Sequence, residues 1–155
     1  MTRYFIVGLL FAAGISSCKK DELASAQWDF PGEQWVTGDD KVMTITAPDS
    51  TQAYLMDVRV DHSEKYQYQN LYIRLLTTFP SGKKISSVTS LELANPDGTW
   101  AGDCSGKTCS VTLPLQRGFT FPELGEYQLT VEPFMRMDTI AGLKRISVIC
   151  RKRAE

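Results

Sequence analysis

Histidine occurs only once in this chain, at His62, and cysteine four times, at Cys18, Cys104, Cys109 and Cys150. So few imidazoles and thiols do not make a convincing zinc set, which takes four nitrogen, sulfur or carboxylate ligands. Neither Asp39-Asp40 nor the run Asp97-Gly98-Thr99-Trp100-Ala101-Gly102-Asp103 matches the ligand spacing of a calcium loop; turns explain both. His62 lies in the polar connection Asp61-His62-Ser63-Glu64-Lys65 and reads as a solvated loop residue. A triad built on it would need a serine or cysteine and a carboxylate delivered by the fold, and no nucleophile-elbow pattern is present. The sequence therefore offers no catalytic residue, no metal site and no cofactor. An excess of one charge is missing too: the formal net charge is -1. Electrostatics thus suggest neither nucleic acid nor an anionic membrane surface as a partner. Helical spacing is not sustained anywhere, and no apolar run reaches the roughly 20 residues of a spanning helix.

What is present begins with a leader. Arg3 supplies a positive charge, and the apolar run from Tyr4 to Ile15 follows, in the order of a secretory signal. Small Ser16 and Ser17 then run directly into Cys18, with branched Ile15 before them. That pattern resembles a bacterial lipobox, in which the cysteine sulfur receives a diacylglyceryl group before cleavage and the freed amine is then acylated. Two or three chains anchor stably where one does not. The expected division is a cleaved lipoprotein signal peptide over 1–17, a lipidated tether over 18–27 and one domain over 28–155, a length sufficient for a buried core.

Within that domain the hydrophobic period is two. Met56, Val58 and Val60 alternate with Leu55, Asp57 and Arg59; Leu71, Ile73 and Leu75 alternate with Tyr72 and Arg74. Val111, Leu113 and Leu115 share a face, as do Tyr127, Leu129 and Val131, and Ile146, Val148 and Cys150. Turn residues break these runs, most plainly Asn95-Pro96-Asp97-Gly98, where proline pre-sets φ and glycine supplies a positive one. The pattern predicts an all-β fold, an antiparallel β-sandwich of immunoglobulin-like or jelly-roll-like form. Gly125-Glu126-Tyr127 places a tyrosine at a strand start after a glycine turn, as in a tyrosine corner. Trp28 and Trp35 read as anchors docking the N-terminal arm. Exposed tryptophans, Trp28, Trp35 or Trp100, would instead form the platform of a surface carbohydrate- or adhesion-binding sandwich, the alternative reading.

Secretion implies an oxidising compartment. In Cys104-Ser105-Gly106-Lys107-Thr108-Cys109 a two-residue turn at Gly106-Lys107, with glycine first, sets Cys104 opposite Cys109. Directly opposed residues lie within the disulfide range, so a bridge is expected. The same register places Gly102 opposite Val111 and Trp100 opposite Leu113. Cys150, alternating with Ile146 and Val148, reads as a buried free thiol.

The ordered motifs Asn70-Leu71-Tyr72, Phe79-Pro80-x-Gly82, Asp97-Gly98-x-Trp100-x-Gly102, Gly125-Glu126-Tyr127 and Met135-Arg136, with Gly142 following, resemble the gliding-motility lipoprotein family GldH of Bacteroidetes. The resemblance covers roughly residues 28 to 149. It implies a non-catalytic outer-membrane lipoprotein held by acyl chains on Cys18, supporting gliding motility, with protein partners among gliding and type IX secretion components and no nucleic acid. Lys19-Lys20-Asp21-Glu22 looks like the signal by which Bacteroidetes send lipoproteins to the outer face of the outer membrane. Ser147 stands where the family's late glycine is expected, and the Cys104, Cys109 pair is not a family feature. Most motif residues also have structural tasks. Arg136 has no obvious packing task, although Asp138 is near enough in sequence to pair with it, and Arg136 and Trp100 are the candidate interaction residues.

Overall fold

The computed structural model describes residues 21–154; the leader, Cys18, Lys19 and Lys20 lie outside the described residues. In chain order the strands are β1 (Glu22–Asp29), β2 (Gln34–Val36), β3 (Lys41–Ala47), β4 (Tyr54–His62), β5 (Asn70–Thr78), β6 (Lys84–Glu92), β7 (Asp103–Ser105), β8 (Thr108–Phe119), β9 (Gly125–Pro133), β10 (Thr139–Ala141) and β11 (Leu143–Lys152). A 3-10 turn at Pro31–Glu33 separates β1 from β2. The first sheet has the order β1-β11-β4-β8-β7, the second β3-β9-β5-β6, and β10 pairs with β2 in a small ribbon. The pairing is antiparallel throughout.

The two sheets close on each other because each strand presents one apolar face. Val58, Val60, Ile146 and Val148 of the first sheet and Leu71, Ile73, Leu129 and Val131 of the second belong to one buried cluster. Each such side chain contributes roughly 1.5–3 kcal/mol on burial. Tyr127 closes the corner as its position foretold: its hydroxyl donates to the Glu123 carbonyl at 2.9 Å. Its ring packs on Phe79 at 5.1 Å and on Phe121 at 5.0 Å. Glycine is required beside it at Gly125, where φ is 124°.

The expected tether over 18–27 is ordered strand from Glu22 on. This strand runs antiparallel to β11 with Ala26 opposite Val148 and Trp28 opposite Ile146. Ala24, Ala26 and Trp28 pack against the core while Ser25, Gln27 and Asp29 face solvent. Two of the three inward residues are alanines, too small to give a visible hydrophobic period, and that concealed the strand. The ordered domain therefore starts some six residues earlier than 28. Both tryptophans dock as anchors: Trp28 is partly buried, and Trp35 is fully buried with its indole N–H donating to the Asp39 carbonyl at 2.8 Å.

Cys104 and Cys109 are opposed across β7 and β8 and bonded, with their Cα atoms 4.0 Å apart. Gly106 takes φ 58° and Lys107 does not follow it into the left-handed region. Beyond the bridge the expected register fails. Leu113 pairs with Val58, and Trp100 forms an isolated bridge with Ala94. The cause is Gly102, which turns at φ 79° so close to β8 that a Cβ would meet the Ser110 carbonyl oxygen at 2.1 Å. Cys150 is a buried free thiol, and burial pushes it up to about 12, where little thiolate exists at neutral pH.

Two measurements follow from the bridge. Non-reducing peptide mapping should recover Cys104 linked to Cys109 and Cys150 free; any fragment linking Cys150 would contradict the register. So short a loop constrains the unfolded chain weakly, so Cys104→Ser with Cys109→Ser should cost only about 2 kcal/mol in urea unfolding.

Candidate interaction site

Three of the motif groups turn out to be structural. Phe79 and Pro80 pack into the tyrosine corner, where a Cβ on Gly125 would lie 3.3 Å from the Pro80 ring. Asp97 and Thr99 tie the Asn95–Thr99 turn, the Asp97 carboxylate accepting from the Thr99 amide at 2.9 Å. Trp100 and Gly142 meet around His62. There the sequence reading needs correction, because His62 is fully buried and not a solvated loop residue.

The imidazole sits at the end of β4 with Trp100 edge-on at 4.4 Å and Tyr66 at 5.7 Å. Its Nδ1 lies 3.2 Å from the Ser63 carbonyl, which can only accept, so Nδ1 carries the proton. Nε2 is then a buried lone pair, and it has no hydrogen-bond partner among the described residues. The fold does bring a serine and a carboxylate here. Yet the Ser63 hydroxyl donates to Glu33 at 2.8 Å and not to the imidazole, so the three groups do not line up as a serine–histidine–carboxylate relay. Glu33, at φ 58°, is a clamp: its carboxylate is also 3.3 Å from Lys65 and 3.8 Å from Lys144. The hydrogen bond from Ser63 holds that carboxyl below its usual range, helped by the two lysines. No group of metal-ligating side chains occurs among the described residues.

The aromatic column continues outward. Tyr66, its hydroxyl bonded to the Asn70 carbonyl at 2.6 Å, meets Tyr68 edge-on at 5.7 Å. Tyr68 lines a surface hollow of about 540 Å³ together with Tyr72, Val88, Phe134, Met135, Arg136 and Met137. Its walls come from the connection before β5, from β5, from β6 and from the connection after β9. Tyr72 fixes that last connection with its backbone, its carbonyl accepting from the Phe134 amide at 3.0 Å and its amide donating to the Met135 sulfur at 3.4 Å. Here the remaining motif groups, Asn70-Leu71-Tyr72 and Met135-Arg136, come together. Tyr68, Tyr72, Val88 and Phe134 are all more than a third exposed, a contiguous apolar surface and not scattered single residues.

The two cations near the hollow differ. Arg74 is engaged, 3.1 Å from Glu132 and 4.2 Å over the Phe134 ring. Arg136 is exposed and pairs with neither Asp138 nor any other carboxylate among the described residues. An apolar, aromatic-walled hollow carrying one unneutralised guanidinium suits a protein surface with an acidic group flanked by apolar side chains. Tyr68, Val88 and Phe134 were missed in the sequence. Phe134-Met135-Arg136-Met137 held a usable signal, since three apolar residues without alternation in a connecting segment have no strand face to fill. The other candidate, Trp100, belongs to the His62 column, half-buried and outside the hollow. None of the three tryptophans forms an exposed platform.

Fold and surface together define an antiparallel β-sandwich with an aromatic-walled surface hollow. The family model described as GldH lipoprotein matches residues 23–149, and the chain belongs to that family. It is 30% identical over 102 residues to the gliding motility lipoprotein GldH homolog of Christiangramia forsetii, covering 65% of this chain and 63% of that one. It is 31% identical over 97 residues to the gliding motility lipoprotein GldH of Flavobacterium johnsoniae, covering 61% and 59%. The chain thus spans less than two thirds of the length of either relative. Among solved structures, a carbohydrate-binding module specific for non-crystalline cellulose aligns at TM-score 0.46 and 10% identity, covering 84% of this chain and 73% of that one. Tripeptidyl peptidase 2 aligns at TM-score 0.42 and 7% identity, covering 84% and 10%. Likenesses this weak carry no functional argument.

His62 makes stability depend on pH. Burial holds its imidazole below the ordinary value near 6.5, against smaller opposing effects of the Ser63 carbonyl and Asp61. The unfolded chain therefore takes up a proton first, and this contribution is whole above about pH 6.5 and is lost as pH falls below it. Urea unfolding from about pH 7.5 to 5 should show a slope that His62→Gln flattens. Equal slopes would rule out a buried neutral imidazole. Gly142→Ala should destabilise at every pH, because a Cβ there would lie 2.1 Å from the Tyr66 amide nitrogen.

Proposed function

We propose that this protein is a non-catalytic lipoprotein, anchored in the outer membrane through acyl chains on Cys18, that supports the gliding and type IX secretion apparatus by binding a protein partner in the Arg136 hollow. The observation that carries the reading is Arg136 itself. It is an exposed guanidinium without a carboxylate partner among the described residues, set among Tyr68, Tyr72 and Phe134, where packing within the chain gives it no task. Family membership supports the link to gliding motility, and the lipobox supports the anchor. Anchoring raises the local concentration of the domain at the envelope, so a modest hollow suffices for a lasting contact. Lys19-Lys20-Asp21-Glu22 would select the outer face.

Complementation of a deletion strain tests this. Arg136→Glu should abolish colony spreading in a gliding host, or the envelope and secretion phenotype in a non-gliding one, while Tm and protein level stay unchanged. Cys18→Ala should remove fatty-acid labelling and function together. Alanine at all four export-signal positions should hide the protein from protease added to intact cells. Full function of both Arg136→Glu and a soluble, unanchored form would overturn the proposal.

A further inference from the structure

The outer strands of the two sheets differ in how they are protected. β1 bulges between Glu22 and Ala24, and at the other edge of its sheet β7 is only three residues long. Beyond β7, β8 carries Pro114 and two register shifts. In the second sheet, β3 has β1 within 8 Å of it, Cα to Cα. Bulges, short strands, prolines and covering segments are the devices that blunt an edge. β6, the last strand of the second sheet, has none of them. It keeps register with β5 over its nine residues without a bulge, contains no proline, and is charged only at its ends, Lys84 and Glu92.

Which backbone groups of β6 face outward is fixed at both ends of the strand. The Phe79 amide donates to the Lys83 carbonyl and the Leu93 amide to the Gln69 carbonyl. Because hydrogen-bonded and non-hydrogen-bonded pairs alternate in an antiparallel ladder, Ile85, Ser87, Thr89 and Leu91 bond to β5. Lys84, Ser86, Val88, Ser90 and Glu92 therefore turn their N–H and C=O groups out of the edge, where those groups meet no partner among the described residues. All five residues are exposed, Val88 to 49%. Neither end charge is neutralised by an ion pair among the described residues. Glu92 is held in place by the Ser90 hydroxyl at 2.7 Å, and the Asn70 side-chain amide holds Ser90 at 3.1 Å.

From this open edge and the placing of its two charges, we infer that β6 pairs antiparallel with β6 of a second copy of this chain, about a two-fold axis at Val88. Val88 then opposes its own counterpart, Ser86 opposes the partner's Ser90, and Lys84 opposes the partner's Glu92 on the same face, an arrangement the two-fold repeats. Each of these is a pair whose outward groups exchange both hydrogen bonds, and the interface is isologous and closed. A shift of two residues, the smallest that keeps those groups facing, separates Lys84 from Glu92. The two four-stranded sheets become one continuous sheet with both Arg136 hollows on the same side, since Val88 is a wall of each. An interface one strand wide falls short of the roughly 1,000 Å² of a stable complex, so the dimer is weak in dilute solution and fills when chains are concentrated on a membrane.

The test is cysteine crosslinking of the full-length protein in its host cells under a mild oxidant. Opposed residues of a hydrogen-bonded pair lie about 5.5 Å apart at Cα, within disulfide range. Val88→Cys should give a covalent dimer of this chain. Ser86→Cys alone should not, whereas Ser86→Cys combined with Ser90→Cys should. In the Val88→Cys background, Lys84→Glu should lower the dimer yield on the order of tenfold, because the two-fold sets like charges opposed twice. Adding Glu92→Lys should restore it, with Tm unchanged throughout. No dimer from a folded Val88→Cys protein, a dimer from Ser86→Cys alone, adducts only with a different protein, or no rescue by the charge exchange would overturn the inference.

Discussion

Much of this sandwich depends on one close approach, that of Gly142 to the connection between β4 and β5. Its amide donates to the Glu33 carbonyl and its carbonyl accepts from the Ser63 amide, each at 2.8 Å. At φ 86°, with the Tyr66 amide nitrogen 2.1 Å from where a Cβ would be, the position admits no side chain. That contact seats Tyr66 and His62, which take Trp100 against them. Tyr66 in turn backs Tyr68, the inner wall of the hollow. A surface feature thus inherits its shape from a backbone contact in the interior, as a densely packed core requires.

The same arrangement separates roles among the motif residues. Glycines, prolines and the tyrosine corner fix the path of the chain, and their side chains meet other parts of the chain. Arg136 instead meets solvent. Its neighbour Arg74 shows what a satisfied cation looks like on this surface, held by Glu132 and stacked on Phe134. The contrast between these two arginines, both beside Phe134, is the physical basis for the proposal that the hollow receives a partner.

Strand positions were legible wherever large residues alternated, as in Met56-Val58-Val60 and Ile146-Val148-Cys150, because period two survives any tertiary context. β1 was illegible because alanines carry its inward face. The hairpin at Gly106-Lys107 could be read since both of its strands are local, but its extension to Trp100 could not: Gly102 leaves the ladder through its approach to Ser110, a contact with no local signature. His62 failed for a related reason. Its sequence neighbours are polar, and the groups that bury it come from Trp100 and from the stretch around Gly142. Arg136 was singled out by elimination, whereas the aromatic walls around it were not, since they arrive from four separate segments.

Site-specific photo-crosslinking from position 72, in the wall beside Arg136, tests the central claim most directly when performed in living cells of a gliding host. The account predicts a discrete protein adduct from position 72 that disappears when Arg136→Glu is added, with none from an exposed position outside the hollow such as 112 on β8. Adducts from both positions that persist with Arg136→Glu, or none from position 72 in cells that still glide, would contradict it.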